Sequence, residues 1–201
     1  MRVLWRSGAP QPDVAPYPTA WTVYFNVDNA DTAAETIKAN GGSVMMGPMD
    51  VFEEGRMLIA TDPAGAAFGV WQPKKHTGAQ VKDVHGSMGW QECHSKDVNK
   101  SREFYARTFK LEPVKLPAPG MEYWTFNRGQ EQVGGVMQET QAPMSYWLAY
   151  FSVDNTDKAV TAVKTGGGKV MQDPMDTPYG RLAVVQDPFG AVFALVQPPK
   201  K

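Results

Sequence analysis

The chain has one cysteine, Cys93, and only three histidines, His76, His85 and His94, in 201 residues. A lone cysteine excludes an internal disulfide and any four-cysteine zinc site, and it suits a reducing compartment, so a cytoplasmic protein is expected. No apolar run approaches the roughly 18–20 residues that span a bilayer. The opening MRVLWRSGAP lacks the apolar core of a signal peptide. Neither sign of charge dominates: 20 Lys and Arg stand against 21 Asp and Glu, with no basic run of five. Nucleic acid and anionic membranes are therefore not expected as partners. Glycine and proline are plentiful, at 19 and 16, which suits many short strands and turns.

What the chain does have is a duplication. DPAGAAFG at 62–69 returns as DPFGAVFA at 187–194. Trp21–Asp50 aligns with Trp147–Asp176 with 16 of 30 residues identical, and Gly55–Lys75 with Gly180–Lys200 with 10 of 21. A repeat of that length defines the fold unit.

The second copy reads element by element. WLAYFSV alternates, with Ala149, Phe151 and Val153 on one face, which predicts a strand. Asp154 and Asn155 can cap the helix that follows, in which Ala159, Ala162 and Val163 share a face and Gly166–Gly168 end it. KVMQDPMD predicts a strand stopping at a proline, GRLAVVQD a second, and AVFALVQP a last one after the DPFG turn. The order is β-α-β-β-β, and the first copy repeats it. A diverged third unit lies between them, with the strand GWQECHSKD, the helix VNKSREFYARTF packing through Phe104, Tyr105 and Phe109, and a hairpin from MEYWTFNRG and QEQVGGVMQ. Residues 76–87 read as a linker. The expected organisation is a remnant of a preceding unit at 1–18, a βαβββ unit at 19–75, and paired units at 88–199.

D-P-x-G-A-x-F at 62–68 and 187–193, G-R at 55–56 and 180–181, and W-x-E…D-x-x-x-S-x-x-F-Y at 90–105 together resemble the glyoxalase, or vicinal-oxygen-chelate, superfamily over about 19–199. Within it the chain looks like the two-domain actinobacterial type labelled a glyoxalase-like hydroxylase. The resemblance implies an α+β fold in which repeated βαβββ units pair into half-open eight-stranded sheets around a concave ligand site, the fold of bleomycin-resistance proteins and dihydroxybiphenyl dioxygenases. Three units leave 19–75 without a partner, so a homodimer or a missing N-terminal unit is expected.

The resemblance also implies where a divalent metal would sit: His or Glu in the first strand, seven residues before the capping Asp, and Glu in the last strand, seven after the turn Asp. Carried over, those positions fall on Trp90, Thr22 and Leu148, and on Gly69 and Ala194. Neither set suits a metal, so no cofactor is expected. An atypical site using Glu92 and His94 at i, i+2 is the alternative.

Glu92 is the candidate catalytic group, because a carboxylate in an apolar groove gains basicity; the plain alternative is a hydrogen-bonded structural glutamate. Candidate ligand-binding residues are Trp90 as a groove wall, Tyr24 and Tyr150 as phenols in equivalent repeat positions, and His94, which otherwise reads as a strand-end histidine near solvent. Arg56 and Arg181 could hold an anion bidentately or pair with Asp50 and Asp176. Met45, Met49, Met171 and Met175 read as core or loop packing, and Cys93 as buried and inert. Two functions stay open: a protein binding a small metabolite or aromatic molecule without the usual metal, or a lyase, isomerase, hydroxylase or oxygenase using Glu92 or an atypical metal site. A structural or regulatory partner that has lost the groove is a third.

Overall fold

A computed structural model describes residues 19–117 and 120–199. The segment 1–18, expected as a remnant of a preceding unit, lies outside the described residues. The fold is mixed α+β, and three β-α-β-β-β repeats follow one another. The first comprises β1 (Tyr24–Asn26), α1 (Ala30–Ala39), β2 (Ser43–Val51), β3 (Gly55–Thr61) and β4 (Ala67–Pro73). The second is β5 (Met88–Ser95), α2 (Val98–Phe109), β6 (Glu112–Lys115), β7 (Tyr123–Arg128) and β8 (Glu131–Gln138). The third is β9 (Tyr146–Ser152), α3 (Thr156–Thr165), β10 (Lys169–Thr177), β11 (Gly180–Gln186) and β12 (Val192–Gln197). Among the described residues the strands make one sheet of four and one of eight.

Contacts divide the chain into two compact units, one of Thr22–Gln80 with Gln91–Trp147, the other containing Trp21, Val81–Trp90 and 148–199. In the first, β1-β4-β3-β2 form a sheet with β1 and β4 parallel. Its buried side holds Val23, Phe25, Leu58, Phe68 and Val70. That side packs on aromatic residues of α2: Phe25 stacks on Phe109 at 4.1 Å between centroids, and Phe68 lies edge-on to Tyr105. Trp147 Nε1 closes the cluster by donating to Tyr105 Oη at 2.8 Å. In the second unit Ala149, Phe151, Val160, Ala183, Val185 and Leu195 form the core. Trp21 sits edge-on to Phe151 there.

Local chemistry places the helix ends. Asn29, Asp97 and Asn155 each accept a backbone N–H three residues on and so cap α1, α2 and α3. In the two DPxG turns Asp62 and Asp187 each accept two backbone N–H groups. Gly65 and Gly190 take positive φ there, at 93° and 100°, where a Cβ would be strained.

Several expectations change. The strands β2 and β10 run through Pro48 and Pro174 instead of stopping. Both are edge strands with register shifts around the proline, and there a residue without an N–H disrupts no ladder. On α3, Ala162 is exposed and Val160 is buried in its place. The methionines expected to pack lie on those same edge strands, half exposed: Met45 at 49% and Met171 at 58%. The short strand β6 was not foreseen.

Candidate active site around Glu92

The strand β5 alternates between two environments in its Gln91–Ser95 stretch. Cys93 points to the helix side and is fully buried, and burial pushes its thiol pKa well up, as expected of an inert cysteine. Glu92 and His94 point to the opposite face. Parallel pairing sets Glu92 against Gly135 of β8, and His94 against Met137. Antiparallel pairing then sets Met137 against Tyr123 of β7.

Tyr123 therefore stands one row away from Glu92, with β8 between them. Its phenol crosses Gly135 and donates to Glu92 Oε2 at 2.8 Å. The crossing needs glycine, since a Cβ on residue 135 would overlap the Tyr123 phenol oxygen. On the other side of the carboxylate, His94 Nε2 lies 3.0 Å from Glu92 Oε1, and His94 Nδ1 lies 3.8 Å from Glu139 Oε2. Neither ring nitrogen makes an aligned hydrogen bond among the described residues. The imidazole lies flat on Tyr146, with centroids 4.7 Å apart. Glu92 is buried and His94 nearly so. A carboxylate in such a place is costly unless it is paired, and the Tyr123 hydroxyl offsets part of that cost.

The flanking groups are tuned as well. Backbone N–H groups of Gln141 and Ala142, with His94 beyond them, hold the Glu139 carboxyl below its usual range. Burial, then the Glu139 and Glu92 charges, raise the Tyr146 phenol. The cluster can accept a proton or a hydrogen bond at Glu92 and offers a planar stack beside it. His94 is thus not a solvent-facing strand end: its side chain is 11% exposed.

The other candidates are placed elsewhere. Tyr24 pairs with Gly69 and lies over it, where a Cβ would overlap the ring. Tyr150, in the second unit, pairs with Ala194. Both phenols are half-buried, as is Trp90 of the second unit. The register shows that the residues facing the last-strand positions Gly69, Gly135 and Ala194 are Tyr24, Glu92 and Tyr150. They lie two residues beyond Thr22, Trp90 and Leu148, the positions carried over from the resemblance.

Arg56 donates through Nε and Nη2 to Asp31 and also meets Asp50 at 3.6 Å. Arg181 holds Asp157 the same way and Asp176 at 3.1 Å. The fork of each arginine is taken by a carboxylate in the first turn of the helix of its own repeat, Asp31 on α1 or Asp157 on α3, a partner the sequence did not single out. Those hydrogen bonds lower the Asp31 and Asp157 pKa values and raise both guanidinium values. Sequence reasoning also missed Tyr123, Tyr146, Glu139 and Gly135. Only Gly135 carried a local signal, as a glycine inside a strand marks close approach of another group.

No three or more His, Cys, Asp or Glu side chains converge to hold a metal ion among the described residues. Of the last-strand positions, Gly69 and Gly135 carry tyrosine rings over them and Ala194 offers only a methyl. None of the three carries the carboxylate that the resemblance implies there.

Comparison with known proteins accords with the geometry. The family model described as the Glyoxalase/Bleomycin resistance protein/Dioxygenase superfamily matches residues 4–70 and 93–195. The anthracycline biosynthesis protein DnrV of Streptomyces peucetius is 39% identical over 182 residues, which cover 90% of this chain and 66% of DnrV. The putative glyoxylase CFP32 of Mycobacterium tuberculosis is 35% identical over 195 residues, 94% of this chain and 75% of CFP32. This chain thus spans about two thirds of DnrV and three quarters of CFP32. Among solved structures, the 2,3-dioxygenase LapB of Pseudomonas sp. KL28 superposes with a TM-score of 0.62 at 11% identity, covering 92% of this chain and 74% of LapB. The Mn(II)-bound glyoxalase of Novosphingobium aromaticivorans gives 0.62 at 14%, covering 88% and 62%. These two likenesses concern the fold alone. The repeat order, the DPxG turns and the family match together place the chain in the glyoxalase/bleomycin resistance/dioxygenase superfamily.

Proposed function

We propose that the chain binds a small planar aromatic metabolite on the face of β5, β7 and β8 that carries Glu92, without a chelated metal. One observation carries the reading: a buried carboxylate is held by Tyr123 at 2.8 Å beside a histidine stacked flat on Tyr146. A carboxylate accepts a phenolic O–H strongly, and flat aromatic surfaces receive a planar ring. The likeness to DnrV, an anthracycline biosynthesis protein, adds support. The donor set argues against the metal, since Tyr24 and Gly69, Glu92 and Gly135, and Tyr150 and Ala194 fill the paired strand-centre positions.

The second reading is an enzyme in which Glu92 takes or gives a proton. The hydroxyl of Tyr123 on Glu92 Oε2 favours it, because the pair could pass a proton to or from a bound substrate. Fold alone does not separate the two.

Alizarin, a dihydroxyanthraquinone whose visible spectrum changes when its phenol ionises, tests the reading. Saturable binding with a spectral shift is expected, and Glu92→Gln should weaken it about 10-fold or more, the scale of one charge-assisted hydrogen bond. Equal affinity in Glu92→Gln would remove Glu92 from the site. A stoichiometric divalent ion whose removal by chelator abolishes binding would overturn the metal-free reading. Conversion of the probe by the wild type but not by Glu92→Gln would favour the enzyme.

A further inference from the structure

We infer that Tyr123 is a positioning residue that sets the basicity of Glu92, and that Gly135 is the notch that lets it do so. The inference concerns the same side chain as the proposed function but does not need a ligand to be tested. Tyr123 belongs to the row of His94 and Met137, and an unobstructed tyrosine there would stand over Met137. Instead its phenol reaches diagonally over the bare backbone of residue 135 and donates to Glu92 Oε2. Glu92 then has one oxygen bound to a neutral donor and the other 3.0 Å from His94 Nε2. A hydrogen bond donated to a carboxylate favours its charged form. Removing the donor should make Glu92 more basic.

The ionisable groups around Glu92 among the described residues are His94 and Cys93 of its own strand, Tyr123 of β7, Tyr146 of β9, and Glu139 after β8. Of these only Tyr123 reaches it by crossing another strand. That separates its contribution from the rest, because two different substitutions can break the one contact. Tyr123→Phe deletes the hydroxyl and keeps the ring. Gly135→Ala keeps the hydroxyl and forces it away, since the new Cβ claims its place.

The test is a carbon-13 NMR pH titration of the full chain labelled at glutamate side-chain carboxyls, with the Glu92 resonance identified by its loss in Glu92→Gln. In Tyr123→Phe the Glu92 midpoint is expected to rise by about one pH unit, the size of one such hydrogen bond. Gly135→Ala should reproduce the direction of that shift, and the Glu139 resonance should stay where it is in both. A packing role alone would leave the midpoint of Glu92 unmoved, and that result in folded Tyr123→Phe overturns the inference. Should Tyr123→Phe not fold, Gly135→Ala decides it by the same criterion. Failure of alizarin to bind would strike the proposed function and leave this titration standing.

Discussion

Ser101 on α2 donates to Asp62 Oδ2 at 2.6 Å and itself lies 2.6 Å from Ser95 Oγ. The carboxylate is buried, and its other oxygen accepts the N–H groups of Ala64 and Ala66. Asp62 therefore ties the turn before β4 to the helix of the next repeat. Its counterpart Asp187 makes the two turn bonds and, among the described residues, no equivalent serine contact. Asp62→Ala should destabilise the fold by about 2–4 kcal/mol, since it strands several buried donors. Asp187→Ala, closer to solvent, should cost about 1 kcal/mol or less by the same reasoning. Urea unfolding of the two variants checks the asymmetry, and equal costs would contradict it.

Burial raises the Asp62 pKa, and the Ser101 and backbone bonds only partly oppose it. The sign follows from linkage. A carboxyl whose folded pKa exceeds its unfolded value binds protons more tightly when folded. Its titration favours the folded state below the unfolded value, and that contribution disappears as pH rises through the folded pKa. Asp62→Asn removes the titration. The stability of the wild type relative to Asp62→Asn should thus decline from about pH 4 upward and then level off. Urea midpoints measured between acidic and neutral pH read this directly, and a difference that grows with pH would refute the sign.

A close approach of a tyrosine to a glycine recurs in the first repeat, where the Tyr24 ring lies over Gly69. Gly69→Ala should cost about 1–3 kcal/mol, the usual price of overpacking. In a Tyr24→Ala background most of that cost should vanish, because the colliding ring is gone. A double-mutant cycle by thermal or urea unfolding measures the coupling. Additive costs would show that the strain comes from elsewhere.

The repeat, the helices and the sidedness of Cys93 were legible in the sequence, because each is written in local periodicity. VNKSREFYARTF became α2 residue for residue, and its Phe104, Tyr105 and Phe109 are buried. The surroundings of Glu92 were less legible. Glu92 itself could be placed on the open face by alternation, but Tyr123 lies 31 residues on and reaches it only through cross-strand register. Arg56 shows the same limit: its main partner Asp31 is 25 residues away on a helix, whereas the nearby Asp50 was the visible choice. Asp62 and Asp187 mark a different limit. Their turn sequences are nearly the same, and only what packs against each turn distinguishes a buried carboxylate from a partly exposed one.

Cys93 offers a last check on the packing beneath the Glu92 face. It is fully buried, and desolvation by that burial pushes its pKa well up, with the nearby Asp62 charge adding to it. A thiol reacts through its thiolate and needs access. In the native protein a disulfide reagent such as Ellman's should therefore label it no faster than the chain unfolds, and in denaturant one thiol per chain should react at once. Glu92→Gln should leave that protection intact, since it changes the opposite face of β5, whereas Asp62→Ala should speed labelling by loosening the contact of α2 with the turn. Rapid labelling of the native wild type would mean that the layer between β5 and α2 opens far more readily than its packing implies.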